Sequence, residues 1–512
     1  MSAGALTTFA DVRGKSSVED DADVVIIGSG AAGATAARVL TEAGLDVVIL
    51  EEGPHVPTEA LRSDMYTAFK RVWREMGFQV AEGRAFTPIL QGSCIGGTTA
   101  VNGAIIHRMP KPIFDGWCSE RGAGDFFTWD ALDRVWNKLD EELSVGPAPD
   151  SVFGRNNALM ERGVEKLGIR GNRIRRNVKD CQGSAHCNQG CPTARRQSMN
   201  NSYVPRAIAG GARIYANCRA ERLVVKAGRA AGVKGRFHDR EMGQAGPTMT
   251  VAARRAVIVA ASAIQTPLFL FDNGIGRKSG LVGKRLQAHP GTGTVGVFDE
   301  PVNMWSGATQ GFETTHYWNE RMKFETVSMP LEFGAARLPG IGPDLMHELA
   351  SYGHLAIWGV QVRARAHGRV RRGLFAPKVI EYDLTDPDVR DLKLGVRRLV
   401  EMMFAAGARE VLPGVYGVPE RIRSVDELAP LDDVPDDPRH FHCIAAHLFG
   451  TAVLGRTASD SVVAPDGQAH DLPGLYVADS SIFPTNMGVN PQHSISAVAW
   501  LIAERIADRA AA

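Results

Sequence analysis

The sequence predicts an α/β chain with a Rossmann-like unit near its N-terminal end, on three observations. An apolar run, Val24 to Ile27, leads straight into Gly28-Ser29-Gly30-Ala31-Ala32-Gly33. A segment of helical spacing follows as far as Ala43 and stops at Gly44, and a second apolar run, Val47 to Leu50, ends on the acid Glu51. Strand, helix and strand in that order form a βαβ unit. At 512 residues the chain is too long for one compact core, which predicts two domains or one large domain built out by insertions.

Each position in the first unit has a physical task. Gly28 allows the tight turn, Gly30 lets backbone come close to a pyrophosphate, and Gly33 lets helix pack on strand, with Ser29 and Ala31 carried on the same turn. The phosphates then meet the helix N-terminus, and Glu51 stands where a carboxylate accepts hydrogen bonds from ribose hydroxyls. This is the pattern of a dinucleotide site, and it does not by itself separate FAD from NAD. A second glycine-rich loop, Gly92-Ser-Cys-Ile-Gly96-Gly97-Thr98-Thr99-Ala-Val101-Asn102-Gly103, follows. Two such loops suggest a cofactor embraced at both ends, more typical of a tightly held flavin.

Composition is that of an ordinary soluble globular protein, with 44% hydrophobic and 22% charged residues and a net charge of +1. That balance points away from a nucleic acid partner. The basic runs at 170–179 and 363–372 are short and read as solvated hairpins or loops. Residues 1–20 lack the basic and apolar regions of a signal peptide and read as a disordered leader, which predicts a cytoplasmic protein. No apolar run is long enough for a transmembrane helix. Of seven cysteines, Cys94, Cys118, Cys218 and Cys443 are scattered, which argues against a secreted disulfide framework.

The other three, Cys181, Cys187 and Cys191, fall within eleven residues. Soft thiolates converging on one centre select zinc or an iron–sulfur cluster. Zinc takes four ligands, and His186 is adjacent to Cys187, so the two side chains would have to bend to one ion. Reduced structural thiols or a disulfide remain open alternatives.

Most of the chain resembles the glucose-methanol-choline (GMC) oxidoreductase family. The resemblance rests on residues 24–53, on "GSCIGGTTAVNG", on "VIVAASAIQTPLFLFDNGI" (257–275, with Ser262 where glycine is usual), on "LVGKRLQAHP" (281–290), and most specifically on the C-terminal run from His447 to Asp508. It implies a Rossmann-like FAD-binding domain made from residues 21–115, 181–290 and 440–512. An inserted α+β substrate domain with an antiparallel sheet then occupies 291–439, and 116–180 forms a further substrate-domain or lid segment. FAD would be contacted by Gly28, Ser29, Gly30, Ala31, Gly33, Glu51, Gly96, Gly97, Thr98, Asn102, Gly103, Ala220, Asp479 and Asn490. Some family members attach FAD through a histidine after the Gly-Gly pair; Val101 stands there, which implies noncovalent FAD.

Alcohol oxidation needs a base for the hydroxyl proton while hydride leaves the carbon, and histidine suits that task. The resemblance makes His447 the base and Asn490 the partner of the substrate oxygen. His493 is a rival to Asn490, disfavoured by its offset from the following Ser-Ile, and His440 and His442 are expected to pack. The three cysteines also resemble those that carry a 3Fe–4S cluster in bacterial sugar dehydrogenases of the family, where the cluster passes electrons towards a cytochrome. That implies a dehydrogenase with an electron-accepting protein partner. An oxygen-using oxidase of a hydrophobic or sterol-like alcohol, a flavin-dependent lyase or isomerase, and a non-catalytic electron-transfer subunit are the alternatives. The region 291–439 is rich in Met, Phe and Trp, so an apolar alcohol is as plausible a substrate as a sugar.

Overall fold

The computed structural model describes residues 4–511, which build two large sheets with separate apolar cores and two small two-stranded ones. The first sheet starts from the N-terminal unit. Strands β1 (Ala5–Thr7), β2 (Ser17–Ile27) and β3 (Val47–Leu50) are joined by β4 (Arg213–Tyr215), β5 (Cys218–Lys226), β6 (Arg229–Asp239) and β7 (Gln244–Val259). Their order is β1-β4-β3-β2-β7-β6-β5, with the strand Leu475–Val477 also on β7. Pairing is parallel from β1 through to β7 and antiparallel from β7 to β5. Val24 to Ile27 and Val47 to Leu50 are buried throughout because helices cover the parallel part.

The first of those helices, α1 (Ala31–Glu42), starts at the glycine turn, and the C-terminal helix Gln492–Ala511 packs along it. A Cβ on Gly33 would lie 1.9 Å from the Gly28 carbonyl oxygen, so only glycine allows α1 to sit this close to β2. Helix α2 (Trp129–Glu142) packs on the C-terminal helix through Leu132, Val135, Trp136 and Leu139.

The second sheet is built on the long strand β8 (Lys284–Val297), with β9 (Met322–Thr326) and β10 (Leu355–Val362) following on one side and β11 (Ile444–Phe449) on the other. Helix α3 (Asp386–Ala405), opened by a Thr385 and Asp388 capping box, lays its apolar face on β10 and β8. The basic run at 363–372 does enter a hairpin, Gly368–Arg371 with Val379–Glu381.

Three expected boundaries differ from this architecture. The leader at 1–20 is not a disordered tail in its described part: β1 extends the parallel sheet through β4, Phe9 and Val12 are buried, and β2 begins at Ser17. Residues 1–3 of that call lie outside the described residues. The segment 116–180 does not form one lid, because Trp117, Phe127 and α2 belong to the first core and only its later part, with Leu159 and Met160, joins the second. The division at 290/291 cuts β8, and β11 brings residues after 440 into the second sheet.

Replacing Gly33 by Val is expected to destabilise the chain by about 1–3 kcal/mol, the usual cost of overpacking. Chemical denaturation of the apoprotein checks it; an unchanged midpoint contradicts the close packing of α1 on β2.

Candidate active site

A cavity of about 1260 Å³ runs from the β2 turn to the open face of the second sheet. Its volume exceeds the usual range for one small ligand and is enough for a large cofactor beside a substrate. Among the expected cofactor contacts, Gly28, Gly30, Ala31, Glu51, Gly97, Thr98, Asn102, Gly103, Ala220, Asp479 and Asn490 line it. Ser29, Gly33 and Gly96 stand behind the wall. The Ser29 hydroxyl donates to Glu51 at 2.7 Å and accepts from the Gly96 amide at 3.0 Å, so it ties the two glycine loops together.

The donor set fits FAD. Glu51, at the C-terminal end of β3, is held in place by the Ser29 and Gly53 amides at 2.9 and 2.8 Å. Burial pushes its pKa up while those donors oppose the rise. The Gly28 turn has φ +98°, and a Cβ there would strike the Ala260 carbonyl, so the approach to the helix N-terminus stays open. Asp479 lies on the same wall and accepts from the Ser262 amide at 2.9 Å and the Ser481 amide at 2.8 Å. Ser262, the departure from glycine noted in the sequence, adopts φ +89° and spends its amide on that carboxylate. Val101 is fully buried with Met65, Val72 and Trp73.

His447 and Asn490 meet at the far end of the cavity. β11 pairs with β8 across a register shift between Ala288 and Pro290, which sets His447 beside His289. The loop before the C-terminal helix brings Asn490 to 3.4 Å from His447 Nε2. Lys323 supplies the orientation: its ammonium donates to Asn490 Oδ1 at 2.9 Å, so the amide nitrogen faces the imidazole. His447 Nδ1 lies 3.2 Å from Gln361 Oε1. His447 Nδ1 also lies 3.3 Å from His289 Nδ1, so it faces both Gln361 and His289, while Nε2 faces the Asn490 amide nitrogen at the cavity.

Lys323 is fully buried and paired with Glu313 at 2.8 Å and Glu325 at 2.5 Å, and His107 contacts Glu313 at 2.9 Å. Burial would lower the Lys323 pKa, but the two carboxylates outweigh it and raise it. Glu313 is held down at about 2 against its own burial by Lys323 and His107. His447 has no acid beside it: burial, then the Lys323 charge, then His107, push it down to about 3. Its imidazole is therefore neutral at physiological pH and free to accept a proton.

His493 does not compete for this position, since its Nε2 lies 3.0 Å from Asp140 of α2, away from the cavity. His442, expected to pack, instead lines the cavity, while His440 is half-buried and contacts the Tyr416 carbonyl. Lys323, Glu313, Glu325, Gln361 and His289 were not singled out in the sequence. The available signal was Met322-Lys-Phe-Glu-Thr326, whose strand alternation puts Lys323 and Glu325 on one face.

The three clustered cysteines are a correction. Cys187 Sγ accepts from Arg176 Nη2 at 3.1 Å, and Cys191 Sγ lies 3.5 Å from the Thr193 hydroxyl. Among the described residues no group of three or more His, Cys, Asp or Glu side chains is placed to hold a metal ion. Cys181, Cys187 and Cys191 are free thiols, and nothing in their described surroundings supports a 3Fe–4S or zinc site. Burial alone would raise the Cys187 pKa, yet Arg176, Arg196 and the Thr309 hydroxyl bring it down to about 7.

Residues 22–291 match the N-terminal GMC oxidoreductase family and residues 365–499 the C-terminal one, so the chain belongs to the GMC oxidoreductases, a family of FAD-binding enzymes. An uncharacterized GMC-type oxidoreductase of Mycobacterium tuberculosis is 37% identical over 94% of this chain and 75% of its own length. A long-chain-alcohol oxidase of Arabidopsis thaliana is 26% identical over 97% of this chain and 68% of its own. Among solved structures, formate oxidase of Aspergillus oryzae shares the fold at TM-score 0.73 and 19% identity, covering 96% of this chain and 99% of that one. Pyridoxine 4-oxidase from Mesorbium loti does so at 0.69 and 18%, covering 94% and 98%. No helix among the described residues is long and apolar enough to cross a membrane.

Substituting Lys323 by Met leaves Glu313 and Glu325 buried without their cation and is expected to cost on the order of 3–5 kcal/mol. A denaturation midpoint equal to wild type would remove the ion cluster from its structural place.

Proposed function

We propose that this chain oxidises the CH–OH group of an apolar primary alcohol, with His447 as base and Asn490 as the donor to the substrate oxygen. The observation that carries the reading is His447 Nε2 and Asn490 Nδ2 side by side, 3.4 Å apart, on one cavity. FAD, held noncovalently by the wall from Gly28 to Asp479, supplies the acceptor for the hydride that leaves the carbinol carbon. The hydroxyl proton passes to His447 Nε2, and the C–O bond becomes a carbonyl.

Lys323 works on this step at one remove. Its charge lowers the proton affinity of His447, and through the Asn490 amide it favours negative charge on the substrate oxygen. The cavity walls include Val327 and Ile357, which suit an alkyl chain better than a sugar. The long-chain-alcohol oxidase relative supports the same class, and with it molecular oxygen as the proposed electron acceptor.

His447→Ala is expected to lower kcat by about 10² to 10⁴ with FAD still bound; near-wild-type turnover would end the role of the imidazole. Acid precipitation is expected to release free flavin, and yellow colour retained in the pellet contradicts noncovalent binding. A histidine held at about 3 loses its base form only far below its ordinary range. The acidic limb of kcat/KM is therefore expected below about pH 5, and a limb centred near 6.5, the ordinary histidine value, contradicts the described electrostatics.

A further inference from the structure

Arg337 lines the same cavity as His447. One of its nitrogens donates to the Gly293 carbonyl of β8. That carbonyl is available because Gly293 falls between the two stretches of β8 that pair on this side, residues 287–291 with β11 and residues 295–297 with Glu410–Leu412. Gly414 makes room for the guanidinium, since a Cβ there would lie 2.8 Å from Arg337 Nη2. No carboxylate pairs with Arg337 among the described residues, and the one ionisable group that registers as a favourable partner is the buried thiol of Cys443. Burial accordingly pushes its pKa down, as for a cation without a counterion. The buried cation Lys323, by contrast, has two glutamates.

His289, Gly291 and Gly293 occupy alternate positions of β8 and so share one face, and all three line the cavity. His289 touches His447 at one end, and Arg337 is anchored at Gly293 at the other. Four strand residues separate the ends, about 13 Å at about 3.3 Å per residue. An extended chain advances roughly 1.2 Å per bond, so about ten bonds bridge that span. Gly291 and Gly293 put no side chain in the way, and Val327 and Ile357 provide apolar walls.

The geometry points to Arg337 as a carboxylate-binding site at the far end of the substrate groove, which makes the preferred substrate an ω-hydroxy carboxylic acid of medium chain length. This rests on the alcohol oxidation proposed above and names its substrate class. The carboxylate supplies the missing anion, and a guanidinium fork suits two carboxylate oxygens better than an ammonium would. The alkyl chain lies over the glycine floor and presents its terminal CH₂OH to His447 and Asn490.

Two measurements on flavin-loaded protein test the site. The first is binding of decanoate, which has no hydroxyl to oxidise, followed by calorimetry in wild type, Arg337→Gln and Arg337→Lys. Decanoate is expected to bind wild type, to weaken at least tenfold in Arg337→Gln and to recover in part in Arg337→Lys, with thermal melting showing that all three fold. Equal binding in wild type and Arg337→Gln overturns the proposal. The second compares anaerobic flavin reduction by 10-hydroxydecanoic acid and 1-decanol. Wild type is expected to favour the acid at least tenfold in kcat/KM, and Arg337→Gln to lose the preference while keeping 1-decanol. A wild type that favours 1-decanol overturns it. If no alcohol reduces the flavin yet decanoate binds through Arg337, the oxidation reading falls and the carboxylate site stands.

Discussion

The active end of the cavity depends on one buried cation. Lys323 has no access to solvent and stands between Glu313 and Glu325, with its remaining reach spent on Asn490 Oδ1. Taking three charges out of water is costly, and the cluster persists because every charge meets an opposite one at hydrogen-bonding distance. What the arrangement gains is a fixed direction for one amide. With Oδ1 held by the ammonium, Asn490 presents its amide nitrogen beside His447 Nε2, while Gln361 and His289 stand at His447 Nδ1. The two groups that meet the same hydroxyl thus come from β11 and from the loop before the C-terminal helix, aligned by a strand of the second sheet.

The rest of the architecture serves that meeting. The parallel sheet ends on the glycine turn and Glu51, which define one end of the cavity, and the antiparallel sheet supplies the chamber wall at the other. β8 joins the two ends of the chemistry, because its bulge near Pro290 sets His289 against His447 while its glycines keep the chamber open. The Ser29 hydroxyl, between Glu51 and Gly96, locks the two glycine loops to each other, so the cofactor wall behaves as a single rigid surface.

Much of this was legible in the residues. The βαβ unit is local: its glycines, helix length and terminal acid lie within thirty residues, and each acts through its own backbone. The pair His447 and Asn490 came from its motif, and the structure brings both to the cavity. Lys323 was not legible, because strand alternation shows that Lys323 and Glu325 share a face but not that the face is buried; only the packing of β9 against the C-terminal loops decides that. The cysteine reading failed for a related reason. Spacing permits three thiols to converge, but Arg176 is buried in the core and captures Cys187, a tertiary contact that spacing does not reveal. The N-terminal segment looked like a polar leader, yet a three-residue strand and two buried side chains tie it to the sheet.

The most direct test of the central claim is a crystal structure of the flavin-loaded protein, reduced with dithionite so that the flavin cannot accept hydride, and soaked with a primary alcohol. The account expects the hydroxyl oxygen within hydrogen-bonding distance of both His447 Nε2 and Asn490 Nδ2, with Lys323 still on Asn490 Oδ1. An alcohol bound with its oxygen away from that pair, or an Asn490 side chain detached from Lys323, would contradict it.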